Sequence, residues 1–170
     1  MIKKIIIVVT SFLMASCTAY QHTSSQVPKH KFDRSGGVFI STSKDGWYEE
    51  NRYKNSGEMT SRELKKAFSK YAIKTTITNQ CHGDDCFNII DVERFSYYVK
   101  PVILHWEDRA TEWSGKPDRI EIQVIIYDAV TKEEISNSSF KGKSKWATLG
   151  GDHPQDLLLD PISEYVSSLY

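Results

Sequence analysis

The fold is decided by two apolar, β-branched segments, YYVKPVILHWE (97–107) and RIEIQVIIY (119–127). In the second segment, apolar residues from Ile120 to Ile126 alternate with mostly polar ones. A half-buried strand requires this period of two, because successive side chains point to opposite faces of a sheet. The loop between the segments contains SGKP (114–117), a turn-forming sequence. The stretch therefore predicts a long antiparallel strand pair that the rest of the chain covers.

The composition is that of one ordinary globular domain. The chain has 170 residues, and its 22 Lys and Arg are balanced by 22 Asp and Glu. This balance argues against a nucleic-acid partner, which requires a basic face. The order of strand and helix patterns predicts a single small domain of the α/β (α+β) class over residues 37–170. We expect a mixed, mostly antiparallel sheet of about five strands with two main helices packed on it.

Two segments have the apolar spacing that is typical of helices. In the first, 59–72, Thr60 and Glu63 have the spacing of a capping box, and an apolar stripe follows them. Its opposite face is rich in lysine; we interpret it as a solvated face, and contact with anionic lipid or a partner is the alternative. The second helix is predicted after Pro154, and Pro161 either bends it or restarts it.

Two further segments are interpreted by composition. The lysine-rich segment 135–146 is predicted to be a strand, and its polar composition is typical of the edge of a sheet. Earlier in the chain, Trp47 and Tyr48 follow a loop glycine. We expect both aromatic side chains to pack over a sheet edge.

The N-terminus has the features of an export signal. Two lysines precede an apolar run that is too short to span a bilayer. The sequence LMASC (13–17) resembles a bacterial lipobox. This resemblance implies that residues 1–16 are removed as a signal peptide and that Cys17 carries acyl chains such as palmitate. An ordinary secreted protein that is cleaved nearby is the alternative.

The segment after the signal is predicted to be a flexible tether. Residues 17–36 are polar and contain too little apolar surface to fold alone. Thr18 stands where an aspartate would resemble an inner-membrane retention signal. By that resemblance we expect lipid anchoring in the outer membrane, with the domain facing the periplasm.

Two more cysteines, Cys81 and Cys86, lie in the short segment CHGDDC. Exported proteins meet an oxidising compartment, which favours a local disulfide between these thiols. The alternative is a metal site that both cysteines form with His82 and one of the aspartates between them. We favour the disulfide and expect no metal, because metal sites in exported proteins rarely rely on free thiols.

The densest polar cluster is HWEDR (105–109), at the end of the first central segment. On a strand His105 and Glu107 share one face, and Trp106 and Asp108 lie on the other. A surface at this end would include three tryptophans, which are common in interfaces, and the equal alternative is that these side chains cap the core. The predicted binding surface comprises His105, Trp106, Glu107, Asp108, Arg109, Trp113 and Trp146.

The same cluster has two other interpretations. Charges at a strand end commonly pair across a hairpin, here with Lys116 or Arg119. A periplasmic hydrolase or metal-binding protein that uses His105, Glu107 and Asp108 is the alternative hypothesis. The sequence contains no G-x-S-x-G, H-E-x-x-H, phosphate-loop or dinucleotide motif. We therefore predict a non-catalytic binding or assembly role, with no catalytic residue and no cofactor.

Three blocks of sequence carry a family resemblance: PVILHWEDRATEWSGKPD (101–118), KGKSKWAT (141–148) and GGDHPQDLL (150–158). They resemble the signature of an uncharacterised family of Gram-negative lipoproteins that carries only a domain-of-unknown-function label. More distantly, the order of elements is similar to periplasmic α/β domains of the curli-secretion and TolB N-terminal types. The resemblance implies an accessory of the cell envelope. Its partner would be a protein, an envelope polymer or a second copy of the chain.

Overall fold

The computed structural model describes residues 19–109, 117–144 and 153–170, and the side chains from residue 21 onward. Two helices pack on one face of a six-stranded sheet. The strands are β1 (Ala19–Gln26), β2 (Val38–Ser41), β3 (Trp47–Tyr48), β4 (Asn51–Arg52), β5 (Thr75–Thr78), β6 (Tyr97–Glu107), β7 (Arg119–Asp128) and β8 (Glu134–Lys143). The α-helices are α1 (Ser56–Phe68) and α2 (Leu159–Leu169), and 3₁₀ helices span Gly83–Asn88 and Pro154–Leu158.

The sheet is mixed and mostly antiparallel. Its strand order is β1-β8-β7-β6-β2-β5, and β3 pairs with β4 in a separate hairpin. Strands β1, β8, β7 and β6 are antiparallel neighbours, whereas β2 runs parallel to both β6 and β5. This topology confirms the predicted fold class, with six strands in the main sheet where about five were expected.

The predicted central pair is formed by β6 and β7. Its register pairs Tyr97 with Asp128 at one end and Glu107 with Arg119 at the other. The alternation in the sequence decides which face of β7 is buried against the helices, because a strand turns every second side chain to the same side. The residues buried on that face are Ile120, Ile122, Val124 and Ile126.

The segment 17–36, predicted to be a flexible tether, contains the first strand. The backbone of β1 pairs with β8 from Ala19 to Gln26, with one irregularity between Ser24 and Gln26. The His22 ring stacks on Phe140 with 4.6 Å between ring centroids. The segment is too polar to fold alone, but β8 supplies a hydrogen-bonding edge that composition does not reveal. The tether prediction is therefore corrected over Ala19–Gln26. The signal peptide and Cys17 lie outside the described residues.

Strand β8 is an interior strand, although its lysines suggested an edge. It lies between β7 and β1. Ser136 Oγ lies 2.7 Å from the Tyr165 hydroxyl of α2, and Ser138 Oγ lies 2.8 Å from Ser24 Oγ. A buried hydroxyl lowers the stability of a fold when it has no hydrogen-bond partner, and these hydroxyls have partners. A polar strand can therefore occupy the interior of the sheet.

Helix α1 begins three residues earlier than predicted and ends at Phe68. Thr60 lies within the helix, where its hydroxyl donates to the Ser56 carbonyl at 2.9 Å. The capping-box prediction is wrong because a threonine hydroxyl is equally satisfied by the carbonyl four residues before it. In α2, Pro161 lies in the first turn, which agrees with a restart after the preceding 3₁₀ helix. Within the described residues no helix is both long and apolar enough to cross a bilayer.

A disulfide holds the segment that covers part of the sheet face opposite the helices. Cys81 and Cys86 are bonded, with their Cα atoms 5.0 Å apart, so the predicted disulfide is confirmed. The Tyr98 hydroxyl donates to the Gly83 carbonyl at 2.7 Å. The bonded segment thereby closes over a second apolar cluster that includes Phe39, Phe95 and Tyr98.

We expect the paired substitutions Cys81→Ser and Cys86→Ser to lower the free energy of unfolding by about 2 kcal/mol, because a short closed loop restrains the unfolded chain modestly. Urea unfolding followed by circular dichroism measures this loss. Reduction of the wild-type protein should give the same loss, since it breaks the same bond. A serine variant as stable as the oxidised protein would show that the disulfide does not stabilise this fold.

Candidate functional site

The HWEDR segment lies at the end of β6, beyond an irregularity in the strand. A register shift between Ile103 and His105 leaves Leu104 without a partner in β7. Such a bulge changes the direction of the side chains that follow it. His105 and Glu107 share a face, as predicted, with 3.4 Å between His105 Nε2 and Glu107 Oε2. Leu104 is 51% exposed.

Trp106 belongs to the main core on the other face of β6. Only 2% of its surface is exposed, so it contributes packing and not a surface for binding. Gly46 lies against it, and a Cβ at that glycine would be 2.5 Å from Trp106 Cβ. The glycine therefore allows the loop after β2 to close tightly over the tryptophan.

Glu107 is a buried carboxylate with two partners. Arg109 pairs with Oε1, and His105 lies against Oε2. Burial alone would raise the pKa of the Glu107 carboxyl, but hydrogen bonds from Arg109 and His105 outweigh it, so the pKa lies below its ordinary value. The carboxylate is thus held in its charged form. Its cationic partner lies two residues away on the same chain segment, although the register places Arg119 opposite it.

The β3–β4 hairpin lies over this ion pair. The Tyr48 ring meets the His105 ring edge-on at 5.0 Å, and the Arg109 guanidinium lies 5.9 Å from the Tyr48 ring centroid. Tyr48 therefore packs against the strand, as expected. Trp47 does not, because it is 58% exposed. A two-residue strand points neighbouring side chains to opposite sides, so only one of the two can cover the cluster.

Asp118 and Ser144 join the strand ends next to this cluster. Asp118 Oδ1 accepts from the Arg109 backbone N–H at 2.7 Å. The Asp118 N–H donates to Ser144 Oγ at 2.9 Å, and the Ser144 N–H donates to the Asp118 carbonyl at 3.0 Å. Neither residue was predicted from the sequence to belong to the site. The signal for Asp118 was its place directly after the proline of the turn, where aspartate often bonds to nearby backbone.

Asp108 does not join His105 and Glu107. Its Oδ1 atom is buried and has no hydrogen-bond partner in the part of the chain that the structure describes. Over 19–109, 117–144 and 153–170, no three His, Cys, Asp or Glu side chains are placed to hold a metal ion. The partners of Glu107 are therefore His105 and Arg109, and Asp108, which the alternative hypothesis placed with them, is not among them. Trp113, Lys116 and Trp146 lie outside the described residues.

We expect Glu107→Gln to lower the free energy of unfolding at neutral pH by on the order of 1–3 kcal/mol, because the neutral amide loses charged hydrogen bonds. A depressed carboxyl pKa contributes stability that is present above the unfolded-state value, about 4.5, and is lost as the pH falls through the folded-state value. The difference between wild type and variant should therefore shrink in acid. Urea unfolding at a series of pH values measures it.

Glu121→Gln is the matched control for this prediction. Glu121 Oε1 lies 3.1 Å from Lys141 Nζ, and the lysine side chain is 58% exposed. Exposed ion pairs of this kind contribute little, so we expect a change within about 0.5 kcal/mol. Equal losses for the two variants would contradict a special role for the buried carboxylate.

Solved structures share the fold at low sequence identity. The PelC dodecamer from Paraburkholderia phytofirmans has a TM-score of 0.68 at 8% identity, covering 89% of this chain and 97% of that chain. A single-residue variant of that dodecamer in another crystal form has a TM-score of 0.64 at 9% identity, covering 90% and 98%. Lipoprotein GNA1162 from Neisseria meningitidis has a TM-score of only 0.44 at 10% identity, covering 78% and 96%.

The family match rests on sequence. None of the curated proteins matches this chain. Residues 30–169, however, match a family that is described as a domain of unknown function, DUF4823. This range includes every described element except β1. The chain therefore belongs to the DUF4823 family, as its resemblance to a family with only a domain-of-unknown-function label led us to expect.

Proposed function

We propose that this chain is a lipid-anchored protein of the cell envelope that binds or assembles with other molecules and catalyses no reaction. The observation that carries the proposal is the likeness of the whole domain to a protein solved as a dodecamer, with a TM-score of 0.68. At 8% identity this likeness concerns the fold. It supports an assembly role because the likeness extends over 97% of that protein and 89% of this chain.

The proposed location rests on the N-terminal sequence. Residues 1–16 act as a signal peptide, Cys17 carries the lipid, and Thr18 in place of an aspartate directs the protein to the outer membrane. The domain then faces the periplasm. The Cys81–Cys86 disulfide supports this location, since structural disulfides persist in oxidising compartments.

The chemistry of the β6 end supports binding over catalysis. Glu107 is 1% exposed, and both of its oxygens face protein partners, so a substrate does not reach it. A general base must come within hydrogen-bond distance of the proton that it removes. The ion pair with Arg109 instead fixes the strand end beneath Tyr48. We infer that its role is to hold the shape of this surface.

The exposed contact surface next to this ion pair is apolar. Trp47 is 58% exposed on the β3–β4 hairpin, and Leu104 is 51% exposed on the β6 bulge. Tryptophan is among the residues that most often dominate binding energy in protein interfaces. We propose that Trp47 takes part in contacts between copies of this chain, with a partner protein or an envelope polymer as the alternative.

We expect mass spectrometry of the protein from bacterial membranes to find acyl chains on an N-terminal Cys17. Cys17→Ala should remove the modification and displace the protein from the outer-membrane fraction in a density gradient. The anchor proposal fails if the alanine variant reaches the same fraction in the same amount.

Self-association is tested with the lipidated protein by crosslinking in cells. We expect crosslinked species of several chain masses, and Trp47→Ala should reduce their yield several-fold because it removes a large contact. Val130→Ala is the matched control, since Val130 is 67% exposed at a distant turn. Crosslinks to a different protein alone would replace self-association with a partner. Equal yields for both variants would contradict the role of Trp47.

A further inference from the structure

Strands β1, β6, β7 and β8 each have one end close to Ala19, the first described residue after the proposed lipidation site Cys17. In register, the Ala19 backbone lies opposite Lys143, Lys143 lies opposite Arg119, and Arg119 lies opposite Glu107. The face directed away from the helices carries a groove of about 410 Å³ at this end. We call it the basic groove, and its polar lining is Gln21, His105, Arg119, Glu121, Lys141 and Lys143.

The basic groove has more positive than negative charge. Three of its residues are cations, and its only carboxylate, Glu121, pairs with Lys141 at 3.1 Å. Glu107, at the end of the neighbouring strand β6, is paired with Arg109. Arg119 and Lys143 are exposed, lie directly opposite each other and form no ion pair with any described residue. Like charges in this arrangement repel, so an anion between them would be stabilising.

The position of the anchor selects the anion. Strand β1 begins at Ala19, two residues after Cys17. Two extended residues span at most about 7 Å, which is within the screening length of roughly 8 Å at physiological ionic strength. A lipid on Cys17 therefore brings the membrane surface close to Lys143, which lies opposite Ala19, and Arg119 lies one strand further, about 5 Å away.

We propose that the basic groove docks on the phosphates of anionic lipid headgroups in the membrane to which the chain is anchored. The inference rests on the proposed lipidation of Cys17 and adds a second membrane contact to it. One lipid on a terminal residue leaves the domain free to rotate, whereas a cationic patch beside it fixes an orientation. The Tyr97 end of β6 then points away from the bilayer.

The test is vesicle binding at low ionic strength by the chain from residue 18 onward, which retains every described strand and helix. We expect binding to phosphatidylglycerol vesicles, none to phosphatidylcholine vesicles, and a decrease with added salt. Arg119→Gln with Lys143→Gln should lower the partition coefficient roughly 25-fold, since each basic residue near an anionic surface contributes about fivefold. The melting temperature should stay equal or rise, because the substitutions remove a repulsion.

Lys65→Gln with Lys70→Gln is the matched control. Both lysines are exposed on or next to α1, on the other face of the molecule, and the charge change is the same. We expect wild-type binding from this variant. Equal losses for the two pairs, or wild-type binding that is absent or equal on both vesicles, would overturn the inference. Failure of the anchor appears separately, as an absence of acyl chains on Cys17 in the mass spectrum.

Discussion

The structure depends on the antiparallel ladder between β6 and β7, because both cores are built on it. One face of the ladder buries Val99, Ile122 and Val124 beneath the two helices. The other buries Tyr98 beneath the segment that the Cys81–Cys86 disulfide closes. A strand that is covered on both sides cannot shift its register by one residue without exchanging the two sets of side chains. This constraint fixes the position of every element that packs on the ladder.

The ends of the ladder have different chemistry, and this difference is what the chain offers for function. At the Glu107 end, a buried ion pair and the hydrogen bonds of Asp118 with Arg109 and Ser144 hold the ends of β6, β7 and β8 in one arrangement. Buried ion pairs add little net stability, yet breaking one leaves an uncompensated charge. A rigid end of this kind suits a surface that must meet a membrane or another chain in one orientation. The proposed anchor and the basic groove lie at this same end.

The proposed location, assembly and lipid contact are compatible with one another. A lipid on Cys17 would hold the domain to the membrane, and the short distance to β1 would keep Arg119 and Lys143 close to the headgroups. Trp47 would remain available for contact with neighbouring molecules. The likeness to a protein solved as a dodecamer concerns the fold.

The sequence by itself determined the central strand pair, the two helices, the fold class and the disulfide, because periodicity and cysteine spacing are local signals. It also placed His105 beside Glu107, because residues that are two apart on a strand lie on the same face. Only the tertiary structure decided that Arg109 and not Asp108 pairs with Glu107, that Trp106 belongs to the core, and that β1 pairs with the edge of β8. These outcomes depend on a bulge and on pairing between distant segments, and neither leaves a pattern in neighbouring residues.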